Sequence, residues 1–194
     1  MKPIVLFIAL SLLCCACGKN SGAIAPPGNN TAQATGELRY TAPEGWQTEK
    51  PTSNMRAAQY KLPRAEGDSA DAELVLYYFG QGQGGSAQAN IDRWLNQMQQ
   101  PAGSSSKEKA KIETTTVNGL PVTTVDVTGK YNGGMASPGA APSATPADMS
   151  NYRMRAAIIE TPKGSYFVKL TGPQKTVSHW DQAYTAYLKS FEFK

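Results

Sequence analysis

Cysteine is absent beyond residue 17. The chain has three, Cys14, Cys15 and Cys17, so its body holds no thiol for a disulfide, a zinc site or a cysteine nucleophile. The fold must rest on its core, which a chain of this length can supply. Histidine is equally scarce, with His179 alone. A relay of Ser178, His179 and Asp181 fails on geometry, because neighbours at i, i+1 and i+3 of a helix do not converge, and no G-x-S-x-G elbow occurs. His179 reads as a surface or capping residue. H-E-x-x-H is missing too, and neither a metal nor another cofactor is expected. No run of one charge sign exists either: the net charge is +4, and Lys107, Lys109 and Lys111 are interleaved with Glu108 and Glu113. Nucleic acid is therefore not an expected partner.

The apolar run at residues 4–13 is ten residues long, short of the roughly 20 that a membrane-spanning helix needs. An early Lys2, this run and a small residue before a cysteine have the layout of an export signal over residues 1–16. Leu13-Cys14-Cys15-Ala16-Cys17 resembles the lipobox of bacterial lipoproteins, with Ala16 before the cut and Cys17 as the lipidated residue. Cys14 departs from the aliphatic residue usual there, and Cys15 is the alternative acceptor. The resemblance implies a thioether-linked diacylglycerol and an amide-linked acyl chain such as palmitate, enough for stable anchoring. Gly18, rather than aspartate, resembles the sorting pattern for the outer membrane. Loss of Lys2 takes the basic residues from 19 to 18 against 15 acidic, a net charge of +3.

After Cys17 the stretch 19–36 (KNSGAIAPPGNNTAQATG) has no apolar period and reads as a tether, averaging about 25 Å as a flexible coil. Residues 132–150 (NGGMASPGAAPSATPADMS) have the same composition and read as a disordered loop, either a surface insertion or a binding loop. What remains, 37–194, has the size of one domain.

Strands are expected at 37–41, 55–62 and 72–79. In AELVLYYF, Leu74, Leu76 and Tyr78 share one face and Val75, Tyr77 and Phe79 the other, which suits a central strand covered on both sides. Two hairpins follow. One pairs 109–117 with 120–131 through Asn118-Gly119, and the other pairs 152–161 with 165–171 through Pro162-Lys163-Gly164. Arg153 and Arg155 share a face of the second hairpin, as a basic patch or as protection of a sheet edge. Helices are expected at 86–99, with Ile91, Trp94, Leu95 and Met98 as the apolar stripe and Ser86 as N-cap, and at 177–190, opened by a capping box of Ser178 and Asp181.

This order predicts an α+β fold, an antiparallel β-sheet with helices on both faces. YTAPEGWQ at 40–47, LVLYYF leading to a helix, the long hairpins, KLTGP at 169–173 and the closing SFEF resemble the PsbP/Mog superfamily. That resemblance implies a three-layer binding or scaffold domain without shared catalytic residues.

Gly80, Gly82 and Gly85 in YFGQGQGGSAQANIDRW match G-x-G-x-x-G. A dinucleotide site also needs a following parallel strand that ends in an acid, and the next strand instead enters a hairpin at Asn118. The reading that survives is a small anion on free amides of Gly82, Gly84 and Gly85 with Ser86. Asp126 and Glu160 are a candidate carboxylate pair, with a solvated sheet face as the alternative. The expected function is a monomeric, non-enzymatic, lipid-anchored envelope domain that binds a protein or envelope component. A small-ligand carrier using the 80–86 loop is the alternative.

Overall fold

A computed structural model describes residues 38–101, 104–132 and 149–194. Cys17, the tether and most of the 132–150 segment lie outside the described residues. Strand β1 (Leu38–Arg39) is followed by β2 (Gln47–Glu49), β3 (Arg56–Leu62) and β4 (Ala72–Tyr78). Next come helix α1 (Ala87–Leu95), the short strand β5 (Met98–Gln99) and α2 (Ser106–Lys109). Strands β6 (Lys111–Val117), β7 (Leu120–Tyr131), β8 (Tyr152–Thr161) and β9 (Gly164–Pro173) lead to α3 (Gln174–His179), α4 (Asp181–Lys189) and β10 (Glu192–Phe193). Eight strands make one sheet in the order β2-β3-β4-β9-β8-β7, with both β5 and β6 on the far side of β7. Every pairing is antiparallel. No helix of the described residues is long and apolar enough to cross a membrane.

Period-two alternation divides the core between the two faces of this sheet. Leu74 and Leu76 of β4, Val168 and Leu170 of β9 and Ile159 of β8 lie under Val177 of α3 and Tyr184, Tyr187 and Leu188 of α4. On the opposite face Ile91, Trp94 and Leu95 of α1 cover Val125, Val127, Met154, Ala156, Ile158 and Phe167. Each of these side chains contributes roughly 1.5–3 kcal/mol by leaving water, so the α1 stripe alone holds that helix on the sheet. The expected α+β fold, with β4 central and helices on both faces, is what forms.

Both hairpins form as well. At the β6–β7 turn Asn118 and Gly119 take φ of 47° and 83°, the paired positive values that a two-residue hairpin turn requires. Asn118 Nδ2 also donates to the carbonyls of Lys189 and Phe191, at 3.1 and 2.9 Å. The turn thereby ties the end of α4 to the sheet.

Four expectations need correction. The helix expected over 86–99 ends at Leu95, and Met98–Gln99 pair with Tyr131 and Lys130. Met98 still joins the α1 cluster, so the apolar stripe survives the change of backbone. The last helix starts at Gln174 and breaks at Trp180, whose indole Nε1 donates to the Pro63 carbonyl at 2.9 Å. Ser178 and Asp181 form no capping box there, because both bind Arg153. Arg153 and Arg155 protect no edge, since β8 lies between β7 and β9.

Candidate functional site

The 80–86 loop leaves β4 and wraps the start of α1. Gly80, Gly82, Gly84 and Gly85 all have positive φ, a backbone region that side chains with a Cβ rarely enter. Gly84 is also hemmed in: a Cβ there would stand 2.8 Å from both Phe79 Cδ2 and Phe167 Cε2. Ser86 Oγ accepts the Ala89 amide at 3.2 Å as the N-cap. Asn90 Nδ2 donates to the carbonyls of Gly84 and Ser86 at 2.8 and 2.9 Å, clamping the loop from inside. The strand that follows α1 is antiparallel to β7, and β4 itself lies between antiparallel neighbours. The glycine spacing thus serves a packed strand-to-helix corner.

Asp126 and Glu160 are not brought together. Asp126 faces Arg153 and Arg155 on the α3–α4 side, whereas Glu160 is exposed at the far end of β8 and on the other face, as strand alternation dictates. Arg153 donates to both Asp126 oxygens at 2.8 and 2.6 Å and to Asp181 at 2.9 Å. Arg155 donates to the other Asp181 oxygen at 2.8 Å and lies 4.4 Å over the Tyr184 ring. Bonds to Asp126, above all, raise the Arg153 pKa. These four charges are matched two against two, and the open groove of about 400 Å³ beside them is lined by Arg155, Asp181, Gln182, Thr185, Ala186 and Lys189. The cluster pins the α3–α4 break to the sheet. His179 is exposed next to it and packs edge-on against Trp180.

A different site lies on the α1 face, where the apolar cluster stops at Tyr77. Beyond it the same face carries Gln59 and Lys61 of β3, Glu73 and Val75 of β4, and Lys169 and Thr171 of β9. A bulge between Arg56 and Ala58 turns Arg56 onto this face opposite Tyr77. Its guanidinium then donates to Gln59 Oε1 at 2.8 Å and to Glu73 Oε1 at 2.9 Å, and lies 5.8 Å from the Tyr77 ring. Gln59 in turn donates to Glu49 of β2 at 2.9 Å.

Lys169 stands at the centre of this strip, between the buried Val168 and Leu170. Its ammonium donates to Gln97 Oε1, just past α1, and to the Tyr131 hydroxyl at 2.9 Å. Burial lowers its pKa to about 8, and the nearby cations Arg93 and Arg56 push the same way against Glu73. Burial likewise pushes the Tyr131 phenol up to about 12 and raises that of Tyr77. Sequence reasoning passed over Lys169. The available signal was the pattern SYFVKLT, a lysine inside a central strand of a sheet covered on both faces, where charges are rarely buried unpaired.

This arrangement, an eight-stranded antiparallel sheet between helices, is an α+β fold that resembles PsbP-like structures. The solution structure of cyanobacterial PsbP (CyanoP) from Synechocystis sp. PCC 6803 matches over 90% of this chain and 99% of that one, with a TM-score of 0.50 at 12% identity. The crystal structure of LpqN, involved in cell envelope biogenesis of Mycobacterium tuberculosis, matches over 81% of this chain and 83% of that one, with a TM-score of 0.51 at 8% identity. At such identities the likeness is one of fold. No protein-family model matches the chain, and no curated protein matches it in sequence.

Proposed function

We propose that this chain is a non-enzymatic, lipid-anchored domain of the cell envelope that binds a protein or envelope component through the α1-side strip around Lys169. The lipobox-like residues ending at Cys17, the tether behind them and a fold shared with CyanoP and LpqN support an anchored, extracytoplasmic binding module. The observation that carries the choice of surface is the sheet face itself. Along β3, β4 and β9 it carries Arg56, Gln59, Glu73, Tyr77 and the partly buried Lys169 ammonium, where the other face of the same strands carries Tyr60, Leu62, Leu74, Leu76, Val168 and Leu170. Sheet positions given to charge instead of packing sacrifice stability, and such sacrifices concentrate at functional sites.

The test is photo-crosslinking in intact cells with a photoreactive residue at Lys61, on the strip, or at Thr185, on α4. The reading expects a discrete crosslinked partner from position 61 and none from 185. Crosslinks from 185 alone would move the binding surface to the other face. Cys17→Ala should abolish acyl labelling and membrane retention, and continued labelling would remove the anchor from the proposal or shift it to Cys15.

A further inference from the structure

The Lys169 ammonium has three N–H donors. Gln97 and Tyr131 take two of them. No ion pair among the described residues includes Lys169. Glu73, on the adjacent strand one diagonal position away, is held by Arg56 at 2.9 Å. The strip thus gathers Lys169, Arg56 and Arg93 with two carboxylates, Glu73 and Glu49, that Arg56 and Gln59 already engage. A cation drawn into a sheet face is expected to be paired. Hydrogen bonding to an amide and a phenol orients this ammonium without neutralising it. Were the position there only to fill space, an unbranched apolar side chain would pack against Tyr131 with no charge to desolvate.

We propose that the Lys169 ammonium, with Arg56 and Arg93 beside it, receives a carboxylate or phosphate group of the bound component. The inference rests on the strip being the binding face, and it names the chemistry bound there. Tyr77 and Tyr131 flank the ammonium and present apolar ring surface to whatever carries the anion. The ligand is therefore an organic acid group, or the acidic end of a larger component, more readily than a hydrated inorganic ion. This anion site is on a different element from the 80–86 loop, whose Ser86 hydroxyl and Gly84 carbonyl are engaged locally.

The experiment uses the full chain with ¹³C-labelled lysine, titrated at constant ionic strength in potassium chloride, succinate or inorganic phosphate while the Lys169 side-chain resonance is followed. In chloride the midpoint is expected near 8. Saturating succinate or phosphate should raise it by about one unit or more, because an anion that prefers the charged form about tenfold shifts the midpoint by that amount. Response to succinate alone would assign a carboxylate, and response to phosphate alone a phosphate. Lys169→Met should weaken binding of the responsive anion about tenfold or more, while Lys189→Met, exposed on α4 at the opposite face, should leave it unchanged. The inference is overturned if neither anion moves the midpoint, or if Lys169→Met binds as tightly as the native chain. The native titration decides the matter even if a variant fails to fold. Crosslinks from position 61 without anion binding would retain the binding face and discard its anionic chemistry; anion binding with crosslinks from 185 alone would do the reverse.

Discussion

Arg153→Met replaces the most heavily bonded cation of the α3–α4 face with an apolar chain of similar length. The native guanidinium spans two elements, holding both oxygens of Asp126 on β7 and one oxygen of Asp181 at the start of α4, with Ser178 Oγ at 3.0 Å. Its side chain is 16% exposed, against 28% for Asp126 and 39% for Asp181. Hydrogen bonds to charged groups contribute about 1.5–3 kcal/mol when buried. Water reaches both carboxylates and Arg155 stays to bind Asp181, so the expected loss is about 2–3 kcal/mol, less than the full cost of orphaning a buried charge. For a domain of this size that is a fall in Tm of about 5–10 °C. Urea unfolding followed by circular dichroism gives the free energy directly. A double-mutant cycle with Asp181→Asn should return a coupling of about 1–2 kcal/mol. The control is the Lys111–Glu113 pair, at 70% and 59% exposed, whose removal should cost less than about 0.5 kcal/mol. If Arg153→Met costs no more than that control, the cluster does not pin α4 and the account of the helix break is wrong.

Two further outcomes follow from the α1 face and the glycine corner. Lys169 has a folded pKa of about 8, below the ordinary lysine value of about 10.4. Between these values the unfolded chain holds a proton that the native chain lacks, so stability should rise with pH across that window, by about 3 kcal/mol in total. Above it Tyr131 and Tyr77, whose phenols are raised, reverse the slope. Lys169→Met should flatten the rise, as urea midpoints near pH 7.5 and 9.5 would show; an unchanged slope would mean that another group produces it. Gly84→Ala should cost about 3 kcal/mol, combining a left-handed backbone with overlap on Phe79 and Phe167. Gly82→Ala meets nothing within 4 Å and should cost only about 1 kcal/mol. Equal losses in thermal melts would show that the corner is not packed as described.

Much of the fold was legible because its determinants are local. Asn118-Gly119 fixes a turn and with it the register of β6 on β7, and the two apolar faces of 72–79 place β4 inside the sheet. Elements made by distant partners were not legible. The polar β2 is a strand because Gln47, Thr48 and Glu49 pair with Lys61, Tyr60 and Gln59, whereas β1 lies within the strand expected at 37–41, and only its partner, Glu192–Phe193, was hidden. The break at Trp180 depends on the Pro63 carbonyl, which helical periodicity cannot report. α2 is different: the sequence Ser105-x-x-Glu108 carries its capping box openly, yet a four-residue helix has too short an apolar period to stand out. The candidate site follows the same division. Ser86 capping α1 was readable from its neighbours. The Lys169 cluster was not, since Gln97 and Tyr131 lie 72 and 38 residues away in sequence and Arg56 joins only because a bulge reverses its face.

The binding role of the α1 face is tested most directly by comparing lysine reactivity in the intact envelope with that of the same full chain after detergent extraction and dilution. An amine-directed label quantified by mass spectrometry reads Lys61 and Lys169 on the strip and the exposed Lys189 on α4 in one sample. The account predicts that Lys61 and Lys169 are protected about tenfold or more in the envelope, as burial in an interface requires, while Lys189 reacts equally in both. Equal reactivity of all three, or protection of Lys189 alone, would contradict it.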